Sequence, residues 1–492
     1  MVSTSILPHR PRRFAVIGAG GAAGLATLQV FVNELGDYIR AGDIEVVGFE
    51  QREDIGGIWL AEPRPDSLKQ KWPETPAYDS LKTNIPHPIM YFSLHLAPRS
   101  TPLFTDAQTV NDYMRSYVDK FGLRRYIRFN TQVTAATWDD STHQWTVNTR
   151  PSGSHSDKGA ESVSQFDHLL VTNGHNRRPF TPYVDGFEDW AASDSRSYIH
   201  SIWYRIPDPY RDHDVLVIGG GRSGADCSDD ISTVARKTIH SVRSIEDEDS
   251  ARIIRRGAIS HFTADGFVHF KNGKREYVDR VIFATGYEYD CSFLTQLPVE
   301  QPQDSSDHLY NSRFHIYPLA LHTFPLRAAF PPSSLAFIGL PNGAPAFTLA
   351  EVQATLAIRQ MTGKVSLDFD GELTRTLERN DELQKKHSSP SEVAISWHKF
   401  GKGNGNPYDF LDLLLERAND SMRIPKWKRD FGPVGSVILS EWRKLEALGL
   451  AKEWADEVGK NGIQDWIDLM WRVVWRAKGS TSQVTLLETR HG

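Results

Sequence analysis

Phe14-Ala15-Val16-Ile17-Gly18-Ala19-Gly20-Gly21-Ala22-Ala23-Gly24 is an apolar run of strand type that ends in a glycine-rich turn and leads into a stretch able to be helical. The same plan returns at Val215-Leu216-Val217-Ile218-Gly219-Gly220-Gly221-Arg222-Ser223-Gly224. Glycines in such a turn let the backbone double back and approach a pyrophosphate, which then rests on free N–H groups at the positive end of the helix dipole. The strand before and the helix after turn a weak pattern into a specific one. Two cradles imply two bound nucleotides and an α/β fold built on two Rossmann-like dinucleotide-binding units.

What each cradle holds is read from the end of the strand that follows it. Ile44 to Phe49 closes on Glu50, and a carboxylate there accepts both hydroxyl hydrogens of an adenosine ribose. Glu50 comes about 30 residues after the turn instead of roughly 20, so the helix or loop between them is long. After the second cradle, Lys237-Thr238-Ile239-His240-Ser241-Val242-Arg243 closes on Ser241 and Arg243 with no acid. A guanidinium and a hydroxyl suit a ribose bearing a 2′-phosphate, which a carboxylate would repel. One nucleotide is expected to be a bound flavin, FAD, on the first cradle, and the second cradle is read as the site of NADPH. The bland alternative for Arg243 is a solvated surface arginine. In the first cradle Gly18 and Gly20 are followed by Ala23 or Gly24 as the third small residue, and FAD binding survives either alignment. In the second, Gly219, Gly221, Ser223 and Gly224 are the candidate contacts.

At 492 residues the chain exceeds one ordinary core and suggests two or three domains. A net charge of −6 gives no reason to expect nucleic acid or an anionic membrane as partner. Cys227 and Cys291, the only cysteines, lie far apart, so neither a disulfide framework nor a CxxC redox pair is available. A reducing, cytoplasmic location fits. Phe14 to Val32 runs 19 residues without a charge behind Arg10, Arg12 and Arg13, which superficially matches a signal peptide or a membrane span. Its four glycines argue instead for a buried parallel strand, the cradle and a closely packed helix.

The cradles divide the chain. Asp208 to His213 reads as a polar, proline-punctuated linker into the second unit. A return crossing is expected near Phe283-Ala284-Thr285-Gly286-Tyr287. The resulting plan is an FAD unit at 1–207, an inserted NADPH unit at 208–290, a returning FAD part at 291–362, and a mostly helical extension at 363–492. A helix is expected over Ala107 to Phe121, a strand over Gln144 to Asn148, and a hairpin tip without function over Pro151 to Ser164. In the extension Trp466, Leu469, Met470, Val473, Val474 and Ala477 share one helical face, with Trp471 and Trp475 on another. The bland reading is a packing or homodimer helix, preferred over a substrate or membrane surface.

With the cradles placed, residues 12 to 362 resemble the class B flavin-dependent monooxygenases, in their flavin-containing monooxygenase branch. Asp54-Ile55-Gly56-Gly57-Ile58-Trp59 resembles the family's GGxW segment along the flavin, and Leu81-Lys82-Thr83-Asn84-Ile85-Pro86 its TNxP element. Val171-Thr172-Asn173-Gly174-His175 resembles the first strand-to-turn crossing, with Asn173 in place of a small residue or threonine. His200-Ser201-Ile202-Trp203-Tyr204 is similar to the end of the FxGxxxHxxxY fingerprint, and Phe283 to Tyr287 to the ATGY motif. The fingerprint is stretched here, since Phe187 lies 13 residues before His200 and Asp189 stands where a glycine is usual.

On this resemblance Gly57, Trp59, Thr83, Val133, Thr285, Gly286 and Tyr287 join the cradle residues as cofactor-binding positions. His200 and Tyr204 either join them or are satisfied core groups at a hinge. Asn84 is the implied catalytic residue, with an amide able to donate to a flavin peroxide and accept from the nicotinamide nucleotide; its alternative is to close a turn before Ile85-Pro86. The helix expected from near Ala346, with Glu351 and Gln353, is the implied segment returning to the flavin.

The chemistry implied is NADPH- and O₂-dependent oxygenation of a small molecule through a C4a-hydroperoxyflavin, with the protein supplying position and electrostatics. Asn84, and Tyr204 where Baeyer–Villiger relatives carry tryptophan, favour a soft nucleophile, amine nitrogen or thioether sulfur, over a ketone. A Baeyer–Villiger enzyme is the nearest rival. A disulfide reductase lacks its cysteine pair, and a non-oxygenating redox sensor is the non-enzymatic alternative. No metal is implied. The absence of an animal-type anchoring helix suggests an enzyme of specialised metabolism without a membrane span.

Overall fold

The computed structural model describes residues 10–62, 72–153, 160–250, 252–305, 307–401 and 403–479. Arg12–Ile17 is the middle strand of a five-stranded parallel sheet, in the order Leu335–Phe337, His168–Val171, Arg12–Ile17, Ile44–Phe49, Ile127–Arg128. The unbroken apolar run of the first strand follows from cover on both faces. Phe14 and Val16 pack toward the helices Ala22–Ala41 and Ala346–Thr362. Ala15 and Ile17 pack toward Trp138 and Trp145 of an antiparallel sheet formed by Thr131–Asp139, Gln144–Pro151 and Ser162–Phe166. The uncharged stretch from Phe14 to Val32 is thus strand, turn and helix, and among the described residues no helix is long and apolar enough to cross a membrane.

The second sheet repeats the plan. Its order is Glu248–Asp249, Ile254–Arg256, Lys237–Ser241, Asp214–Ile218, Arg280–Phe283, Ser197–His200, parallel except for the first pair. Val215 and Val217 face Cys227 and Ile231 of the helix Arg222–Ile231, while Leu216 shares the opposite core with Trp190, Phe262 and Phe270.

Ser197–His200 already pairs with Arg280–Phe283, so the second sheet draws a strand from residues before 208, and Asp208 to His213 joins two of its own strands instead of leading into it. The chain crosses earlier, near Arg178–Pro179, and those residues pair antiparallel with Tyr287–Glu288 on the return. The two crossings are hydrogen-bonded to each other, which makes a narrow neck between the sheets.

Local expectations hold well. The helix Ala107–Phe121 starts on Asp106, whose side chain accepts from Thr109 N–H, and stops at Gly122 in the left-handed conformation. The hairpin around residues 151–164 is present, its residues 154–159 lying outside the described set.

The extension comprises the helices Phe369–Lys386, Pro390–Trp397, Pro407–Arg417, Lys426–Phe431, Gly435–Ala447, Ala451–Ala455 and Ile463–Ala477. Leu411, Leu414 and Leu415 join the core that holds the helix Ala346–Thr362. Trp466, Leu469, Met470, Val473 and Val474 are buried against Ile438 and Trp442, and also against Ile89, Leu103 and Phe104 of the first unit. Ala477, the last of the expected stripe, is exposed. Burying a tryptophan removes roughly 150–250 Å² from water, on the order of 4–6 kcal/mol before entropy is counted. That stripe is consumed inside one chain, as a packing helix.

Candidate active site

A single cleft of about 1530 Å³ brings the first cradle together with Asn84. Its size exceeds the roughly 300–1,000 Å³ of an ordinary small-ligand pocket. Gly18, Gly21, Ala22 and Ala23 line it, as do Glu50, Gly57, Trp59, Asn84 and Val133.

The first cradle is shaped by contact. A carbon added at Gly24 would lie 2.5 Å from Ala19 Cα and 2.6 Å from the Gly18 carbonyl. Gly24 is therefore the third obligatory glycine, and Ala23 turns its face to the cleft. No side chain caps the helix Ala22–Ala41 and no acid sits in its first turn, so the N–H groups at its start point into the cleft unspent. The donor set fits a pyrophosphate.

Glu50 is buried, one oxygen accepting from Gly20 N–H at 2.8 Å and the other from Arg52 N–H at 2.9 Å. Burial pushes its carboxyl above the usual range, against the pull of those N–H groups and the Arg52 guanidinium. Each oxygen keeps a lone pair for a ribose hydroxyl. The Arg52 guanidinium donates to the Gly57 and Leu60 carbonyls at 2.8 and 2.9 Å, and so holds the Gly57–Trp59 turn on the cradle.

Asn84 stands exposed in the cleft, with no hydrogen bond to another described residue. Its neighbour Thr83 faces elsewhere. Thr83 is buried, its hydroxyl accepts from Thr105 N–H at 3.1 Å, and it lines a smaller pocket between the helices Arg222–Ile231 and Gly435–Ala447. The contacts that Thr83 makes here are structural and lie away from the large cleft.

The fingerprint residues are likewise engaged in contacts within the fold. His200 is buried; its Nε2 lies 3.0 Å from the Gly286 carbonyl and its Nδ1 accepts from Ile202 N–H at 3.1 Å. Burial lowers its pKa to about 4, so the ring is neutral with both nitrogens spent. Tyr204 is buried and donates to Asp230 at 2.6 Å. Both are satisfied core groups beside the neck. The Thr285 hydroxyl donates to the Phe180 carbonyl, Gly286 carries a positive φ of 90°, and Tyr287 packs edge-on to His200. These three hold the neck and do not line the cleft.

At the second cradle, a carbon added at Gly224 would lie 2.1 Å from the Gly219 carbonyl, whereas Gly220 and Gly221 are exposed at the uncapped start of the helix Arg222–Ile231. This donor set also fits a pyrophosphate. Ser223 is half-buried in the first turn, while the Ser241 hydroxyl donates to the Gly257 carbonyl at 2.8 Å. Arg243 is exposed just past its strand.

Several cleft residues escape sequence reasoning. His175 stacks on Tyr289 at 4.8 Å, its Nε2 is 3.4 Å from Asn342 Oδ1, and its Nδ1 has no partner. Burial lowers its pKa, so it is a neutral acceptor facing the cleft. Arg177, paired to Glu74 at 2.7 Å, and Tyr408, Phe431, Gly432 and Pro433 of the extension also line it. The motif ending at His175 was a usable signal; nothing in the extension's pattern pointed inward.

Among the described residues no group of His, Cys, Asp and Glu is arranged to hold a metal, and both cysteines are free and buried.

The profile of the Flavin-binding monooxygenase-like family matches residues 11–247. "Flavin-containing monooxygenase FMO GS-OX-like 1" of Arabidopsis thaliana is 31% identical over 491 residues, covering 96% of this chain and 91% of its own. Among solved structures, S-allyl-L-cysteine S-oxygenase of Allium sativum superposes with a TM-score of 0.73 at 24% identity over 96% of this chain and 99% of its own. Cyclohexanone monooxygenase does so at 0.55 and 13% over 83% and 98%. The likeness to the solved structures is one of fold, while the Arabidopsis relative matches almost end to end at the level of sequence. This chain belongs to the class B flavin-dependent monooxygenases, in their flavin-containing monooxygenase branch.

Proposed function

We propose that the chain is an FAD-containing, NADPH- and O₂-dependent monooxygenase that transfers one oxygen atom to a soft nucleophile of a small molecule, thioether sulfur before amine nitrogen. The observation that carries the reading is the opening of Asn84, an uncommitted amide, into the same cleft as the first cradle. A flavin held on that cradle supplies hydride acceptance and activation of O₂, the chemistry a protein side chain lacks. The chain's own contribution is binding and order. The first-turn N–H groups and Glu50 hold a dinucleotide, the Gly57–Trp59 turn fixes its neighbour, and Asn84 donates a hydrogen bond where charge develops on oxygen. No acid–base triad is needed, in keeping with a neutral His175. The preference for sulfur rests on the S-allyl-L-cysteine S-oxygenase that shares the fold.

Asn84→Ala tests it. The purified variant should stay yellow and still oxidise NADPH, while sulfoxide formed from a thioether such as S-allyl-L-cysteine falls at least tenfold and hydrogen peroxide rises to match. Undiminished sulfoxide would remove Asn84 from the reaction. Wild-type oxidation of a cyclic ketone in preference to the thioether would replace the reading with a Baeyer–Villiger one.

A further inference from the structure

The part of the cleft that belongs to neither cradle is walled by Ile85, Ile89, Met90 and Phe347 of the first unit and by Tyr408, Phe431, Gly432 and Pro433 of the extension. Its one charged neighbour, Arg429, has its guanidinium held by Asp409 at 2.6 Å and by Asp412, so it offers no unpaired charge. Phe431 is fully buried against Trp471, its ring 4.7 Å away, and Lys428 Nζ donates to Thr348 Oγ1 at 3.1 Å. The helix Lys426–Phe431 is thereby fixed to the helix Ala346–Thr362.

Gly432 stands at the end of that fixed helix, exposed in the cleft, with φ −51° and ψ −55°, a conformation open to any residue. A carbon added there meets only the Arg429 carbonyl at 3.3 Å and Tyr408 Cε2 at 3.7 Å. The backbone does not require glycine. Its lack of a side chain leaves room between two apolar walls.

We propose that Gly432 sets the length of the apolar arm that the substrate carries on its soft atom, so that the extension, and not the nucleotide-binding units, selects among thioethers. The choice of thioether ligands rests on the function proposed above. Gly432→Leu would fill the gap that a long arm needs and leave room for a methyl group.

The test uses the flavin-loaded full chain and binding, read by saturation-transfer NMR, of dimethyl and hexyl methyl sulfide. The dissociation constant of hexyl methyl sulfide relative to that of dimethyl sulfide should rise at least tenfold in Gly432→Leu and stay within twofold of wild type in Leu448→Ala, a change on the exposed face of the extension. An unchanged ratio in Gly432→Leu overturns the proposal. Gly432→Cys gives a second measurement that needs only the smallest side chain. The native cysteines are buried, so iodoacetamide labels the new thiol, and hexyl methyl sulfide should slow labelling at least fivefold. Labelling at the same rate with and without the sulfide overturns the proposal as well. Binding that discriminates by length without any oxidation would leave this inference standing and defeat the oxygenation reading.

Discussion

The two cradles share a backbone and little else. The first leads into a 20-residue helix with no charge before Glu34, is braced by a buried carboxylate, and opens into the large cleft. The second leads into a 10-residue helix carrying Arg222, Asp226, Asp229 and Asp230, and its exposed glycines meet solvent. Every one of those acids is tied to a neighbour: Tyr78 and Arg222 on Asp226, Tyr204 and Ser80 on Asp230, Arg443 near Asp226 and Asp229. A motif fixes where a phosphate rests, while the surroundings decide how firmly. On the proposed function the buried cradle keeps its nucleotide through many turnovers and the open one exchanges it.

The sharpest way to break this contrast is to add one methyl group to each. Gly24→Ala forces a carbon to within 2.5 Å of backbone and should cost more than about 3 kcal/mol, giving a colourless protein with a lowered melting temperature. Gly221→Ala has nothing within 4 Å of the added carbon and should stay within about 0.5 kcal/mol of wild type. Equal damage from both, measured by thermal melts and flavin absorbance, would mean that the cradles do not differ in packing.

Burial beneath the first cradle also predicts a pH dependence that surface acids lack. Glu351, on the helix that packs against Ala22–Ala41, accepts from Ser93 N–H at 3.0 Å and its hydroxyl at 2.8 Å, yet burial raises its pKa to about 7. A carboxyl raised from 4.5 stabilises the fold fully below pH 4.5, and that contribution is lost as pH climbs through about 7. The change is worth about 3 kcal/mol. Chemical denaturation of Glu351→Gln from pH 4.5 to 8 should show this slope flattened; an unaltered slope would place the titration elsewhere.

The open cradle should answer to charge. Arg243→Ala should raise KM for NADPH about tenfold, about 1.4 kcal/mol, and KM for NADH less than twofold. Equal changes would make Arg243 an ordinary surface residue and return the second cradle to an unassigned dinucleotide.

The sequence disclosed what depends on short segments. Both strand–turn–helix units, the acid after Ile44–Phe49 and the helix Ala107–Phe121 are written in continuous runs of at most about 30 residues, where periodicity and glycine spacing suffice. It is silent where a residue's neighbours come from afar. His200 and Tyr204 match a motif, but their polar atoms are spent on Gly286 and Asp230, partners 86 and 26 residues away. The strand that the second sheet takes from before residue 208 was hidden for the same reason, because the pairing of Ser197–His200 with Arg280–Phe283 leaves no mark on local composition. The inward-facing part of the extension was hidden because Gly432 and Pro433 look like any surface turn.

The smallest predicted effect tests whether the extension also steadies the loop bearing Asn84. Lys82 Nζ lies 2.9 Å from Glu446 Oε1, with side chains 50% and 26% exposed, so the pair is worth at most about 1 kcal/mol. Glu446 also accepts from Trp442 Nε1 at 3.1 Å, and alanine would strand that buried indole N–H and confuse the result. Gln keeps the acceptor and removes only the charge. Glu446→Gln should therefore lower stability by less than about 1 kcal/mol at low salt, and by nothing measurable near 1 M salt, where screening reaches about 3 Å. Because Lys82 is two residues from Asn84, the fraction of NADPH electrons that reach product should fall by the same salt-sensitive step. A stability loss without a change in coupling would leave the pair as a clamp on the fold with no bearing on Asn84.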